Sequence, residues 1–144
     1  MIEIRPCQPD DLPGVFNLLR QLHPADSTSY NDVCKAFDTL TGHPGAKVYV
    51  ARSDSQVVGT FTLYIIPNLT RNGRPAAILE NLIVHSCRRG QGIGRAMLDY
   101  ARRLAEETGC YKLSLTSNIE RTEAHRFYEK CGMIRHGFSF RYVL

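Results

Sequence analysis

Residues 88–95 read RRGQGIGR. Gly90, Gly92 and Gly94 fall on alternate positions, two arginines precede them and Arg95 follows. Glycine removes the Cβ that would keep a bulky anion away from backbone amides. Arginine adds charge-assisted donors that suit phosphate oxygens. The pattern points to a cradle for a phosphate or pyrophosphate if a helix begins there, because a helix N-terminus presents unpaired N–H groups and about half a positive charge. A tight strand-to-helix turn without a ligand would use the same glycines. Two common phosphate motifs do not fit. A P-loop carries Lys and then Ser or Thr after its last glycine, and here Arg95 and Ala96 follow. A dinucleotide fingerprint spaces its glycines G-x-G-x-x-G and places an acid at the end of the next strand. Here the third glycine comes one position early, and Ser117 and Asn118 stand where the acid belongs.

The flanking elements supply the required context. AAILENLIV, just before the loop, is a largely apolar run and reads as a strand covered on both faces. After Gly92 the period becomes helical: Ile93, Met97, Tyr100 or Ala101, and Leu104 share a face, and Gly109 closes the helix. Upstream, IEIRPC alternates as a first strand. Asp10 or Asp11 is placed to cap a helix carrying Leu12, Val15, Phe16, Leu19 and Leu22, with Pro13 in its first turn. Ser29 and Asp32 form a capping-box pattern for a second helix that ends at Gly42. KVYVAR and VVGTFTLYII flank SDSQ as an antiparallel hairpin. Downstream, YKLSLTS reads as a strand, RTEAHRFYEKCG as a short helix, and FSFRYVL alternates as a final strand. The expectation is one α/β domain over residues 1–144, a mixed sheet with helices packed on it.

Composition narrows the function classes. The chain has 144 residues, 43% apolar and 22% charged, as expected for a single globular domain. A net charge of +4 suits an anionic ligand but is too weak to argue for nucleic acid. No apolar run has the length of a membrane span, and MIEIRPCQPDD lacks a signal-peptide layout, so a cytoplasmic location without membrane attachment is expected. The five cysteines are scattered and form no C-x-x-C pair, which argues against disulfides and zinc. The five histidines show no ligand spacing, so no metal is expected.

IVHSCRRGQGIGRAML resembles the acyl-CoA motif of the GNAT superfamily of N-acetyltransferases, in which Arg or Gln is followed by two residues, Gly, one residue, and Gly or Ala; here Arg89, Gly92 and Gly94 match. LTSNIERTEAHRFYEKCGM resembles the second signature, an Asn after a strand and then a helix with A-x-x-F-Y-E-K-x-G. The order of elements matches along nearly the whole chain, with a mixed, largely antiparallel sheet. The C-terminal third is similar to aminoalkylphosphonate N-acetyltransferases, and LENLIV and CYKLSL to glucosamine-phosphate N-acetyltransferases.

The resemblance implies roles residue by residue. The backbone of Arg89, Gly90, Gln91, Gly92, Ile93 and Gly94, with Arg95, would hold the CoA pyrophosphate. Leu82, Ile83 and Val84 would pair with the pantetheine arm like an added strand. A Leu82 amide, or a neighbour's, would polarise the thioester carbonyl. Asn118 would contact pantetheine or the amine side. Tyr128 would protonate the departing thiolate, the other reading being a core tyrosine. Glu80 sits where some members carry a carboxylate base; an ion pair or an exposed edge would also explain it. Arg71, Arg74, Arg121 and His125 are lesser candidates, and Cys87 a remote one. The implied activity is transfer from acetyl-CoA to the primary amine of a small molecule. Protein or peptide amines as acceptors, and a CoA-binding regulatory module without catalysis, remain alternatives. A homodimer is a further expectation.

Overall fold

The computed structural model describes all 144 residues. Its strands are β1 (Glu3–Pro6), β2 (Ala46–Ser53), β3 (Gln56–Ile66), β4 (Ala76–Val84) and β5 (Leu113–Ser114), and its helices are α1 (Leu12–Leu22), α2 (Tyr30–Thr41), α3 (Ile93–Glu107) and α4 (Thr122–Lys130). The strands lie in the order β1-β2-β3-β4-β5. The first four pair antiparallel, and β5 adds to β4 in parallel. This is the mixed, largely antiparallel sheet of the sequence reading. No helix is long and apolar enough to cross a membrane. Contacts divide the chain into two units, Met1–Ser114 and Leu115–Leu144.

In the first unit the core forms on β3, which is buried at every position from Val58 to Leu63. Helices α1 and α3 both pack on β3 and β4. Leu12, Val15 and Leu18 of α1 and Ile93, Met97, Leu98, Ala101 and Ala105 of α3 are buried, as the helical spacing of apolar residues requires. A Cβ at Gly59 would lie 2.5 Å from the Met97 sulfur, so a bare β3 backbone lets α3 approach. The buried Thr60 hydroxyl donates to Tyr49 O at 2.9 Å and is thereby satisfied. Asp54 and Ser55 both take positive φ in the β2–β3 turn, the geometry whose twist matches a two-residue hairpin.

Ser29 caps α2 through a capping box with Asp32, and Gly42 and Gly109 sit at the ends of α2 and α3 as expected. Four readings need correction. Asp11 precedes α1 but makes no cap bond to it. Its buried carboxylate accepts from both Arg5 terminal nitrogens at 2.8 and 3.0 Å, from the Gln8 N–H at 2.8 Å, and from Arg52. YKLSLTS shrinks to the two paired residues of β5, because the ladder with β4 ends at Ser114. β4 is not covered along its whole length, since Glu80 and Asn81 are exposed. FSFRYVL forms no strand, and Phe138, Phe140 and Tyr142 are more than 90% exposed. Alternation makes a segment competent to pair, but a strand exists only where a neighbour supplies hydrogen bonds.

Candidate active site

After β4 a 3-10 turn over Ser86–Arg88 redirects the chain toward α3. The Arg88 N–H donates to His85 O at 2.8 Å, and the Cys87 N–H to His85 Nδ1 at 3.3 Å. Gly90 and Gly92 then take φ of 75° and 81°, in the left-handed region that other residues enter at a cost. Gly92 is the N-cap of α3 and has no side chain with which to cap it. The Ala96 N–H bonds back to Gly92 O at 3.0 Å, and the amides of Ile93 and Gly94, which precede it, have no intrahelical acceptor. A Cβ built on Gly90 or Gly92 would meet nothing within 4 Å, so the space before these donors is open. Open space, uncapped amides and the positive end of a 15-residue helix fit a pyrophosphate. Arg95 lies on the first turn with its Nε 3.8 Å from Asp99 Oδ2.

The loop is tied to the rest of its unit at its root. Arg88 Nη2 donates to Ser53 Oγ at 2.8 Å and lies 3.5 Å from Asp54 Oδ2, at the β2–β3 turn. The Ser86 N–H donates to Gln21 Oε1 of α1 at 3.0 Å. Arg89 Nε donates to Val84 O at 3.3 Å. Sequence reasoning missed Arg88, Ser53 and Gln21 in this role. Nothing local signals a bond spanning 35 or 65 residues.

β4 carries one residue more than β3 opposite it, since Ile83 faces Thr60 while Glu80 faces Thr62. The bulge falls at Asn81, whose φ is 52°. It interrupts the two-residue alternation, so Glu80 and Asn81 are both exposed between buried Leu79 and Ile83. The Glu80 carboxylate is thus explained by exposure, and it enters no ion pair. β5 covers β4 only at Ala77 and Ile78, leaving the β4 edge from Leu79 to Val84 without a strand neighbour. The His85 N–H bonds to Val58 O at 2.8 Å. By alternation Ile83 also turns its backbone to β3, and Leu82 and Val84 turn theirs to the open edge. Of the three residues read as pantetheine partners, Leu82 and Val84 therefore have backbone groups aimed away from β3.

In the second unit, Asn118 shapes the turn that leads into α4. Its Oδ1 accepts from the Glu120 N–H at 2.9 Å, and its carbonyl accepts from the Arg121 N–H at 3.0 Å and lies 2.8 Å from His125 Nε2. His125 is thereby engaged in holding this turn. Tyr128 is half-buried on α4, its ring 5.4 Å from that of Phe127. Burial raises its phenol above the ordinary tyrosine value, with the nearby Arg121 charge opposing. Its hydroxyl makes no hydrogen bond within the chain and stays protonated through the neutral range, as a proton donor requires.

Other candidates have structural uses. Arg74 donates to Gly109 O at 3.2 Å and Cys110 O at 2.9 Å, closing the end of α3, and Arg71 lies over the Tyr111 ring at 5.5 Å. His85 Nδ1 is occupied by the Cys87 N–H and is not available as a base for the Cys87 thiol. No group of three His, Cys, Asp or Glu residues is arranged to hold a metal.

Comparison with known proteins finds relatives along nearly the whole chain. A glucosamine 6-phosphate N-acetyltransferase of Trypanosoma brucei brucei is 30% identical over 142 residues, 97% of this chain and 94% of the relative. An aminoalkylphosphonate N-acetyltransferase of Salmonella typhimurium is 28% identical over 144 residues, 99% of this chain and 91% of the relative. A solved putative acetyltransferase from Agrobacterium tumefaciens str. C58 superposes with a TM-score of 0.93 at 34% identity, covering 99% of both chains. The profile of the acetyltransferase (GNAT) family matches residues 12–133, and the chain belongs to that family.

Proposed function

We propose that this acetyltransferase binds acetyl-CoA at the α3 loop and passes the acetyl group directly to the primary amine of a small molecule. The observation that carries the reading is the uncapped N-terminus of α3 behind Gly90 and Gly92, next in the chain to an open β4 edge. The amides of Ile93 and Gly94, with Arg95 beside them, take the pyrophosphate, and the backbone of Leu82 and Val84 receives the pantetheine arm. An amide at the bulge polarises the thioester carbonyl. Glu80 removes a proton from the acceptor, directly or through water. The neutral amine adds to the carbonyl carbon, the C–S bond breaks, the thiolate takes a proton from Tyr128, and the surplus proton on the nitrogen leaves through water and restores the tyrosine hydroxyl. Asn118 acts by fixing the turn before α4.

Both reactants are held at once. Such placement can contribute roughly 7–11 kcal/mol without a covalent intermediate. The two relatives named above act, by their names, on amines that also carry a phosphate or phosphonate. A small amine bearing a phosphorus oxyanion is therefore the acceptor class to try first. The test is CoA-thiol release from acetyl-CoA across amino-sugar phosphates, aminoalkylphosphonates, polyamines and peptides, with products identified by mass spectrometry. Acetyl-CoA-dependent N-acetylation of a small amine is expected. Tight acetyl-CoA binding with no turnover on any acceptor class would overturn the catalytic reading, and turnover confined to peptides would overturn the acceptor class.

A further inference from the structure

Ser117 carries the only buried side-chain nitrogen or oxygen in the molecule that has no hydrogen-bond partner. A buried hydroxyl left unpaired destabilises the fold, and native chains rarely keep one without a use. Nothing in its surroundings requires a hydroxyl there. Leu113, Leu115 and Ser117 are partly buried while Thr116 and Asn118 are exposed, so Ser117 continues the inward side on which two leucines precede it. The turn that follows is built without it: Asn118 Oδ1 accepts from the Glu120 N–H, and Asn118 O accepts from the Arg121 N–H. A trapped water is a poor occupant, because it needs two to four polar partners and no second unpaired buried side-chain atom is present to share it. The hydroxyl is thus left for a molecule that arrives from outside.

We propose that Ser117 is a binding residue for acetyl-CoA, its hydroxyl hydrogen-bonded to an amide of the pantetheine arm. The assignment deepens the acetyltransferase reading and rests on it. A pantetheine arm alternates amides with methylenes, so it suits a place that is apolar apart from one polar group. β5 pairs with β4 as far as Ile78 and Ser114, the open β4 edge begins at Leu79, and Ser117 follows Ser114 by three residues, at most about 11 Å of chain. Ser117 takes the contact that the sequence signature gives to Asn118, whose side-chain oxygen is already used by the turn. The same hydroxyl therefore acts with opposite sign in the two states. In the free protein it lowers stability, and in the complex it adds affinity, the kind of exchange that binding sites make at the expense of the fold.

Ser117→Ala in the full chain tests this with two readouts. The free variant is expected to melt about 2–6 °C above the parent, because an unpaired hydroxyl is gone. Its calorimetric Kd for acetyl-CoA is expected to rise about 3–10-fold, and its KM for acetyl-CoA with it, while kcat and the acceptor KM stay near parental. A serine with a merely structural role would not give higher stability together with weaker binding. Parental acetyl-CoA affinity in the variant overturns the proposal. A variant that melts below the parent or fails to fold also overturns it, since the hydroxyl then has a partner within the fold. A rise confined to the acceptor KM gives Ser117 to the other substrate and overturns it too. If the parent itself binds no acetyl-CoA, the acetyltransferase reading falls and the proposal with it. If the parent binds and the variant binds equally well, that reading stands and only the Ser117 assignment is removed.

Discussion

In the proposed mechanism Tyr128 and Glu80 carry opposite proton transfers, and each substitution isolates one. Tyr128→Phe removes a hydroxyl that bonds to nothing in the chain, so packing is kept. Loss of a general acid costs about 10²–10⁴ in rate. The fall is expected in kcat, with the KM for acetyl-CoA little changed, because the proton is needed only as the C–S bond breaks. Burial raises the phenol pKa, so the parent's alkaline loss of kcat should lie above about pH 10 and be absent from the variant. Glu80→Gln should act on the other limb, with its greatest loss at low pH, where the acceptor amine is protonated. Parental kcat in Tyr128→Phe would reject the acid assignment. Arg88 works differently, through the loop root. Arg88→Ala should raise the KM for acetyl-CoA about tenfold, roughly 1.4 kcal/mol, at near-parental kcat. Ser53→Ala should give much of the same loss, and the double variant should be no worse than Arg88→Ala alone, since all three break the Arg88–Ser53 bond and Arg88→Ala also gives up the 3.5 Å contact with Asp54. A loss with Arg88→Ala but none with Ser53→Ala or Asp54→Ala would instead mean that Arg88 touches the ligand itself.

At the scale of elements, the β4–loop–α3 unit was readable because its signals are local: an apolar run, glycines, and a helical period that starts at Ile93. The caps at Ser29, Gly42 and Gly109 were readable for the same reason. What escaped depends on neighbours. The bulge at Asn81 is visible only when β4 is laid against β3, and it decides that Leu82 and Val84 rather than Ile83 face the open edge. Asp11 looks like a helix cap because Asp favours that position, yet two arginines distant from α1 capture it. FSFRYVL has the right alternation, but its own chain gives it no strand to pair with. The loop makes a sharp prediction. Gly92→Val combines backbone strain of about 1–2 kcal/mol at φ 81° with a side chain in the open space before the amides. Gly92→Asn accepts the left-handed conformation more readily and adds a side chain of similar bulk. Both should weaken acetyl-CoA binding at least tenfold by calorimetry, while only Gly92→Val should also lower the melting temperature. An Asn variant with parental affinity would remove the loop from the binding site.

For the molecule as a whole, stability at its N-terminal end rests on one carboxylate. Asp11 is 1% exposed and joins β1 through Arg5, β2 through Arg52, and the Gln8 amide of the turn between β1 and α1. Burial by itself would raise its pKa. The bonds from Arg5, Gln8 and Arg52 together outweigh burial and hold it below the ordinary aspartate value. The direction fixes the sign of the pH effect. A carboxylate whose pKa is lower when folded stabilises the fold above its unfolded pKa of about 3.9 and loses that contribution as pH falls through its folded value. Asp11→Asn keeps the size but leaves two arginines facing a neutral group. Both arginine side chains remain 24% exposed and so partly solvated. The loss at pH 7 is therefore expected near 2–3 kcal/mol, below the usual cost of breaking a fully buried pair. Urea unfolding at pH 7 and at pH 3 measures it. The gap between parent and variant should be widest at neutral pH and narrower at pH 3, because Asp11 of the unfolded parent is largely protonated there while the folded carboxylate resists protonation. A gap that is the same at both pH values would show that Asp11 acts through shape and hydrogen bonds rather than through charge.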